Sequence, residues 1–195
     1  MSFDIVFPRN NEHELILISQ KLGYSELFLA YEYNRNSYNS IKERFTLLQQ
    51  KTRFKVMLAL KVKPTQISET KKIANLQLCD SSDKNRWVLE KNSHLMLYNV
   101  EYQKKNDFIH QRNSGLNHIL CTLAHQNNIQ IGVSFYDLMQ AEDPKKPILI
   151  GRIQQNARLC KKYKVNMVLA SFASEAYAMR AHYDLRSFGL YLGIK

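Results

Sequence analysis

Apolar positions along the chain switch repeatedly between two spacings. Phe3-Asp-Ile-Val-Phe7 is a short apolar run that predicts a strand. Asn11 to Leu22 follows with Leu15, Ile18 and Leu22 at helical spacing and Gly23 as a stop. The alternation continues with a strand over Glu26 to Tyr31, a helix from Ser37 to Leu48, and the clearest strand, Phe54 to Val62, closed by Pro64. A weaker helix-and-strand unit spans Thr65 to Leu78, followed by a helix over Asp83 to Lys91 and a strand over Leu95 to Tyr98. In the second half, a helix is predicted from Ser114 to Gln126, with Leu116, Ile119, Leu120 and Leu123 as its apolar stripe. A strand over Ile129 to Ser134 comes next, then a helix over Pro147 to Tyr163 facing Leu149, Ile153, Ala157 and Cys160 inward. Met167-Val-Leu-Ala170 is apolar throughout, as in a strand covered on both faces, and a last helix carries Leu185, Phe188 and Leu192.

Strands alternating with helices predict a parallel α/β fold, because each parallel pairing needs a crossover connection. About seven strands fit either a barrel or an open doubly wound sheet, and the pattern alone does not choose. At 195 residues the chain suits one domain over 1–195, and it is shorter than the ~250 residues of an eightfold barrel. Ala141 to Pro147 is the expected exposed loop. No stretch reaches the ~18 apolar residues of a membrane span, and the N-terminus lacks a basic region followed by a long apolar run. A cytoplasmic protein without a membrane partner is the expectation.

Charge changes this picture. There are 28 Lys and Arg against 17 Asp and Glu, a net charge of +11 and a pI near 9.6. The excess is spread: 15 basic against 10 acidic residues in 1–100, and 13 against 7 in 101–195. A folded domain with a distributed positive surface fits a polyanion. Three groups of basic residues recur on predicted elements: Lys42 and Arg44; Arg158, Lys161 and Lys162; and Arg180 with Arg186. Arg158 and Lys162 lie one helical turn apart, and such a face meets phosphates without reading sequence. Arg112 precedes Ser114-Gly115 at the start of a predicted helix. It is open between a phosphate site at a helix N-terminus and a surface residue beside an ordinary cap at Asn113 or Ser114. Tyr31, Tyr33 and Tyr38 are expected as half-buried rim aromatics, with base stacking as the alternative.

The second half carries a two-part block. Its first part is Arg112-Asn-Ser-Gly-Leu-Asn-His118 with Ile129-Gln-Ile-Gly-Val-Ser134. Its second is Arg152-Ile-Gln-Gln-Asn156-Ala-Arg158-Leu-Cys-Lys161-Lys162-Tyr163 with Asn166 to Ser171. Tyr177-Ala-Met-Arg180 and Asp184-Leu-Arg-Ser-Phe-Gly189 complete it. This block resembles the protein component 3 family of archaeal and eukaryotic ribonuclease P, strongly over 107–194 and more weakly over 1–100. The resemblance implies a compact, irregular TIM-like (β/α) barrel of the PHP superfamily. It implies a protein subunit that braces the catalytic RNA during 5′-leader removal from precursor tRNA, with Mg2+ on the RNA and no cofactor on the protein. It further implies a small ferredoxin-like partner subunit in a heterotetramer, with Arg112 and His118 on the RNA-facing side.

The alternative is a divergent PHP-type metal-dependent phosphoesterase acting alone, or more blandly a general RNA-binding scaffold. PHP hydrolases place a His-x-His pair after the first strand, whereas this chain has Pro8-Arg9-Asn10-Asn11 there. Its other strand ends offer Tyr31-Glu32, Lys61-Val-Lys63, Asn99, Ser134 and Ser171, a poor cage for a divalent ion. His118, Cys121 and His125 share a helical face, but a polar face with one inward thiol accounts for them. His110 and His182 are read as isolated and solvent-facing, Cys79, Cys121 and Cys160 as reduced buried thiols. Ser134 and Ser171 lack a nucleophile elbow and are read as helix caps or local backbone partners. No catalytic residue and no metal site are expected on the protein.

Overall fold

All seven predicted strands form, and they pair in parallel and in chain order. The computed structural model describes residues 2–194. The order is β1 (Phe3–Val6), α1 (Glu12–Lys21), β2 (Glu26–Glu32), α2 (Tyr38–Lys51), β3 (Lys55–Val62), α3 (Ile67–Thr70), β4 (Leu76–Asp80), α4 (Asn85–Lys91), β5 (Met96–Tyr98), α5 (His118–Gln126), β6 (Gln130–Ser134), α6 (Phe135–Gln140), α7 (Lys146–Tyr163), β7 (Met167–Ala170) and α8 (His182–Leu192). One-turn 3-10 segments precede α3 and α8.

The two edges of the sheet meet, so the choice left open by the pattern falls to the barrel. Phe172 donates its N–H to the Ile5 carbonyl and Phe7 to the Ala173 carbonyl, both at 2.8 Å. Asp4, fully buried, reinforces the seam by accepting the Ser171 N–H (2.7 Å) and hydroxyl (2.5 Å). Burial pushes its carboxyl up to about 6 despite those hydrogen bonds.

Strand periodicity divides the core in two. Ile5, Leu78, Met96, Tyr98 and Phe172 fill the barrel interior, while Leu27, Leu29, Leu60, Leu97 and Ile131 face the helices. The interior accommodates those rings because its other positions are small. Ala30 is paired with Ala59, and Gly132 sits beside Tyr98, where an added Cβ would press on both Met96 and Tyr98.

The structure moves the start of one helix and the end of one strand and adds a helix. The helix expected from Ser114 begins at His118, because Gly115 is left-handed (φ 84°) against the Val100 carbonyl and Asn117 supplies the cap, accepting the Leu120 N–H at 2.9 Å. Leu116 therefore precedes the helix and Ile119 is exposed; the inward face is Cys121 and Ala124, with Leu120 and Leu123 beside them. β4 runs on to Asp80, and α6 is an element the pattern missed, capped by Ser134 accepting the Asp137 N–H at 3.1 Å.

Candidate nucleic-acid interface

Two places gather the chemistry: the mouth of the barrel at the strand C-termini, and the outer face of α7.

At the mouth, Lys61 reaches over the aromatic floor. Its ammonium is 5.9 Å from the ring centroids of Phe7 and Tyr98 and 3.5 Å from Asp80 Oδ2. Tyr98 stacks on Phe172 at 5.2 Å and 10°. Asn99 donates from Nδ2 to Asp137 Oδ2 at 3.1 Å. The open space here is about 820 Å³. A second cavity of about 880 Å³ adjoins it across Glu32, Lys61 and Asp80. Tyr31 lines the mouth and gives its hydroxyl to Glu12, while Tyr33 and Tyr38 pack on one another and bond Glu69 and the Ile73 carbonyl. Tyr31 and Tyr38 are half-buried, as expected, whereas Tyr33 is buried at 7% exposure. Among the described residues no three His, Cys, Asp or Glu side chains are placed to share a metal ion. On α5, Cys121 is buried, whereas His118 and His125 are exposed, with His125 Nδ1 at 3.0 Å from the Lys164 carbonyl.

The face of α7 is organised by a clamp that sequence reasoning did not single out. Arg152, only 5% exposed, donates to Asp107 (2.7 Å) and to the carbonyls of Glu101, Gln103 and Lys105 at 2.7–3.1 Å. The buried guanidinium thus holds the loop between β5 and α5 on α7. Burial works against the Asp107 carboxylate, but the Asn113 N–H and Arg152 outweigh it and hold the group below its ordinary value. Gln155 donates to the Arg112 carbonyl and the Ser114 hydroxyl, and Asn156 to the Ser114 carbonyl. Ser114 is therefore buried and bonded, which excludes it as the opening of a helical anion site.

This clamp lays Arg112 across the backbone of Gly151. Arg112 is exposed and 3.8 Å from an Asp107 oxygen, but Arg152 already pairs that carboxylate more closely, so the two arginines keep a net positive charge. Residues 151, 155, 158 and 162 lie at i, i+4, i+7 and i+11 of one helix, so Arg112, Arg158 and Lys162 continue along a single stripe. Arg158, Lys161 and Lys162 are exposed, and His118 opens the neighbouring α5.

The remaining candidates lie elsewhere. Lys42 is exposed on α2, next to β2 and β3. Arg44, on the same helix, is paired with the buried Glu12 at 2.6 Å, so its charge is already neutralised. Arg180 turns back to the carbonyls of Tyr177 and Met179 and lies 5.7 Å from the Phe135 ring.

Fold and site together define a parallel (β/α) barrel with a basic stripe on one outer helix and a lysine, paired to an aspartate, in its mouth. Comparison with known proteins supplies the family. A family model described as RNase P subunit p30 matches residues 106–195. Ribonuclease P protein component 3 from Methanococcus maripaludis (strain C7) is 30% identical over 166 residues, covering 80% of this chain and 67% of the relative. The protein of the same description from Methanocaldococcus jannaschii is 28% identical over 78 residues, covering 40% of this chain and 34% of the relative. The chain belongs to the ribonuclease P protein component 3 family. In fold it is similar to a chain in a cryo-EM structure of archaeal ribonuclease P with mature tRNA, with a TM-score of 0.81 at 21% identity, covering 98% of this chain and 83% of that one.

Proposed function

We propose that this chain is a noncatalytic subunit of ribonuclease P that docks the catalytic RNA on its basic surface during 5′-leader removal from precursor tRNA. The observation that carries this is the stripe on α7, where a buried clamp sets Arg112 against Gly151, in line with the exposed Arg158 and Lys162 of the same helix. Clustered cations release counterions from a polyphosphate and lower its self-repulsion, which is the work a protein subunit does for a folded RNA. Lys61 supports the noncatalytic part: an ammonium already neutralises Asp80 at the strand ends, where a barrel hydrolase would gather divalent metal. The catalytic Mg2+ then belongs to the RNA. Precursor tRNA is met chiefly through that RNA, and a small ferredoxin-like subunit, in a heterotetramer, is the protein partner.

The test is reconstitution of precursor-tRNA cleavage with the cognate RNA and partner subunit, with and without this protein. Stimulation that requires the RNA is expected. Cleavage by the protein alone, abolished by a chelator, would overturn the proposal in favour of a metal-dependent phosphoesterase.

A further inference from the structure

Isolated apolar residues on a surface are ordinary and call for no account. Phe108 and Ile109 differ in how they are held. They are consecutive, 70% and 95% exposed, and Ile109 is the most exposed large apolar side chain among the described residues. An unconstrained loop can fold such residues back onto the protein, but this one is tied at its base. Asp107, immediately before Phe108, accepts the Asn113 N–H at 2.9 Å and the buried Arg152 guanidinium at 2.7 Å. The Phe108 N–H donates to the Gln111 carbonyl at 2.8 Å, which closes the turn and leaves Ile109 and His110 at its tip. The Gln155 amide grips Arg112 by both backbone groups, accepting its N–H at 3.3 Å and donating to its carbonyl at 2.9 Å. Residues 107–113 are thus pinned to α7 with the apolar pair turned to solvent.

We propose that this turn is a stacking knob for RNA: the Phe108 ring takes the face of an unpaired base, and Ile109 extends the apolar contact. Charge names the occupant. Exposed cations collar the turn, with Lys104 and Lys105 before it and Arg112 after it. Asp107 is the one acidic residue between 102 and 118, and its carboxylate is already paired with Arg152. The same carboxylate joins the knob to the basic stripe, since Arg112 Nη1 lies 3.8 Å from it and Phe108 is the next residue. A base on Phe108 therefore brings its own phosphate toward Arg112, and the strand continues along Arg158 and Lys162. A protein partner would need both an apolar socket and acidic groups to answer this collar, whereas every nucleotide carries a π face and a phosphate together. The proposal rests on the RNA-binding reading above and adds which part of the RNA is met. The α7 stripe meets phosphates of any strand, and the knob selects nucleotides whose bases are unpaired.

Binding of the full chain is measured by fluorescence anisotropy to a labelled RNA single strand with no self-pairing, and to the same strand annealed to its complement. Phe108→Ala is expected to weaken single-strand binding roughly tenfold, as loss of one stacked base does, and to leave duplex binding unchanged. The slope of log affinity against log salt is expected to stay the same, because no phosphate contact is lost. Phe108→Trp is expected to retain the affinity of the unmodified protein, whereas Phe108→Leu, apolar but without a ring, falls with Phe108→Ala. Unchanged melting is expected in all three variants, since the side chain is exposed. Equal loss on both RNAs, a reduced salt slope, or full affinity in Phe108→Leu overturns the knob. Unchanged single-strand affinity in Phe108→Ala also overturns it, and loss of binding to the purified small partner subunit in that variant then assigns the turn to a protein contact. Failure of the underlying RNA reading looks different: the unmodified protein binds neither RNA, or Arg158→Glu combined with Lys162→Glu leaves both affinities untouched.

Discussion

The guanidinium of Arg112 occupies the space in which a side chain at residue 151 would stand. Gly151 is thus a vacancy in α7 shaped for an arginine. Gly151→Ala is expected to leave the fold intact, since alanine is favoured over glycine in a helix by about 1 kcal/mol and the obstructing atoms are the mobile end of a side chain. The variant displaces Arg112, so RNA affinity falls while the melting temperature holds or rises. Thermal melting and filter binding on one preparation check both halves.

Arg152 gives the opposite outcome. Its replacement by Met keeps the length but removes the buried donor shared by Asp107 and three carbonyls, leaving Asp107 the Asn113 N–H and the more distant Arg112. A loss of about 3 kcal/mol is expected, the usual cost of removing one partner from a buried charged network. The damage should concentrate between residues 101 and 117, so limited proteolysis there is expected to accelerate before global unfolding begins.

Charge placement separates the basic groups. Arg158→Glu combined with Lys162→Glu is expected to weaken RNA binding and to lower the slope of log affinity against log salt by about 0.9 per lost phosphate contact. Arg44→Ala is expected to leave that slope unchanged and to cost about 1 kcal/mol of stability, because it strips the buried Glu12 of its ion pair. Denaturant titration and salt-dependent binding of both variants decide the assignment.

Glu101 makes stability depend on pH. It is fully buried, neither carboxylate oxygen has a partner, and burial pushes its pKa up to about 7 from the ordinary 4.5. A group whose folded pKa is raised keeps its proton longer in the folded state. Its neutral form is therefore free of penalty below about 4.5, and the penalty grows as pH rises through about 7. Glu101→Gln is expected to be nearly neutral at pH 4 and to stabilise by up to about 3 kcal/mol at pH 8. Urea unfolding at the two pH values tests it, and an equal effect at both would rule out the buried carboxylate as the cause.

The alternation of parallel strands and helices was legible because the strands are short apolar runs, whereas closure into a barrel was implied only by the family resemblance; Tyr31-Glu32, Lys61 and Asn99 fall at the mouth as read. What escaped did so for local reasons. Asp80 lies beyond the end of the weaker Thr65 to Leu78 unit, whose strand is ladder-bonded to its neighbours but barely patterned. Asp137 sits in a six-residue helix too short to show a period, although Ser134 followed three positions later by Asp137 is the start signal that betrays it. Arg152 and Asn156 fall on the inward side of α7 among Leu149, Ile153, Ala157 and Cys160. A polar residue in an apolar stripe announces a buried partner, but only the tertiary structure says that the partner is the loop from Glu101 to Ser114. Arg44 reads from sequence as a free cation because its partner Glu12 belongs to another helix.

The seam between Asp4 and Ser171, 167 positions apart, also fixes an order of events in synthesis. While the ribosome is still making the chain, β1 has β2 on one side and nothing on the other, and it stays an open template for any stray strand until β7 has emerged. The barrel closes only when the seventh strand meets the first. Pairing across so long a stretch of chain is slow, so the edge of β1 is exposed to unwanted strand addition for as long as the seam stays open.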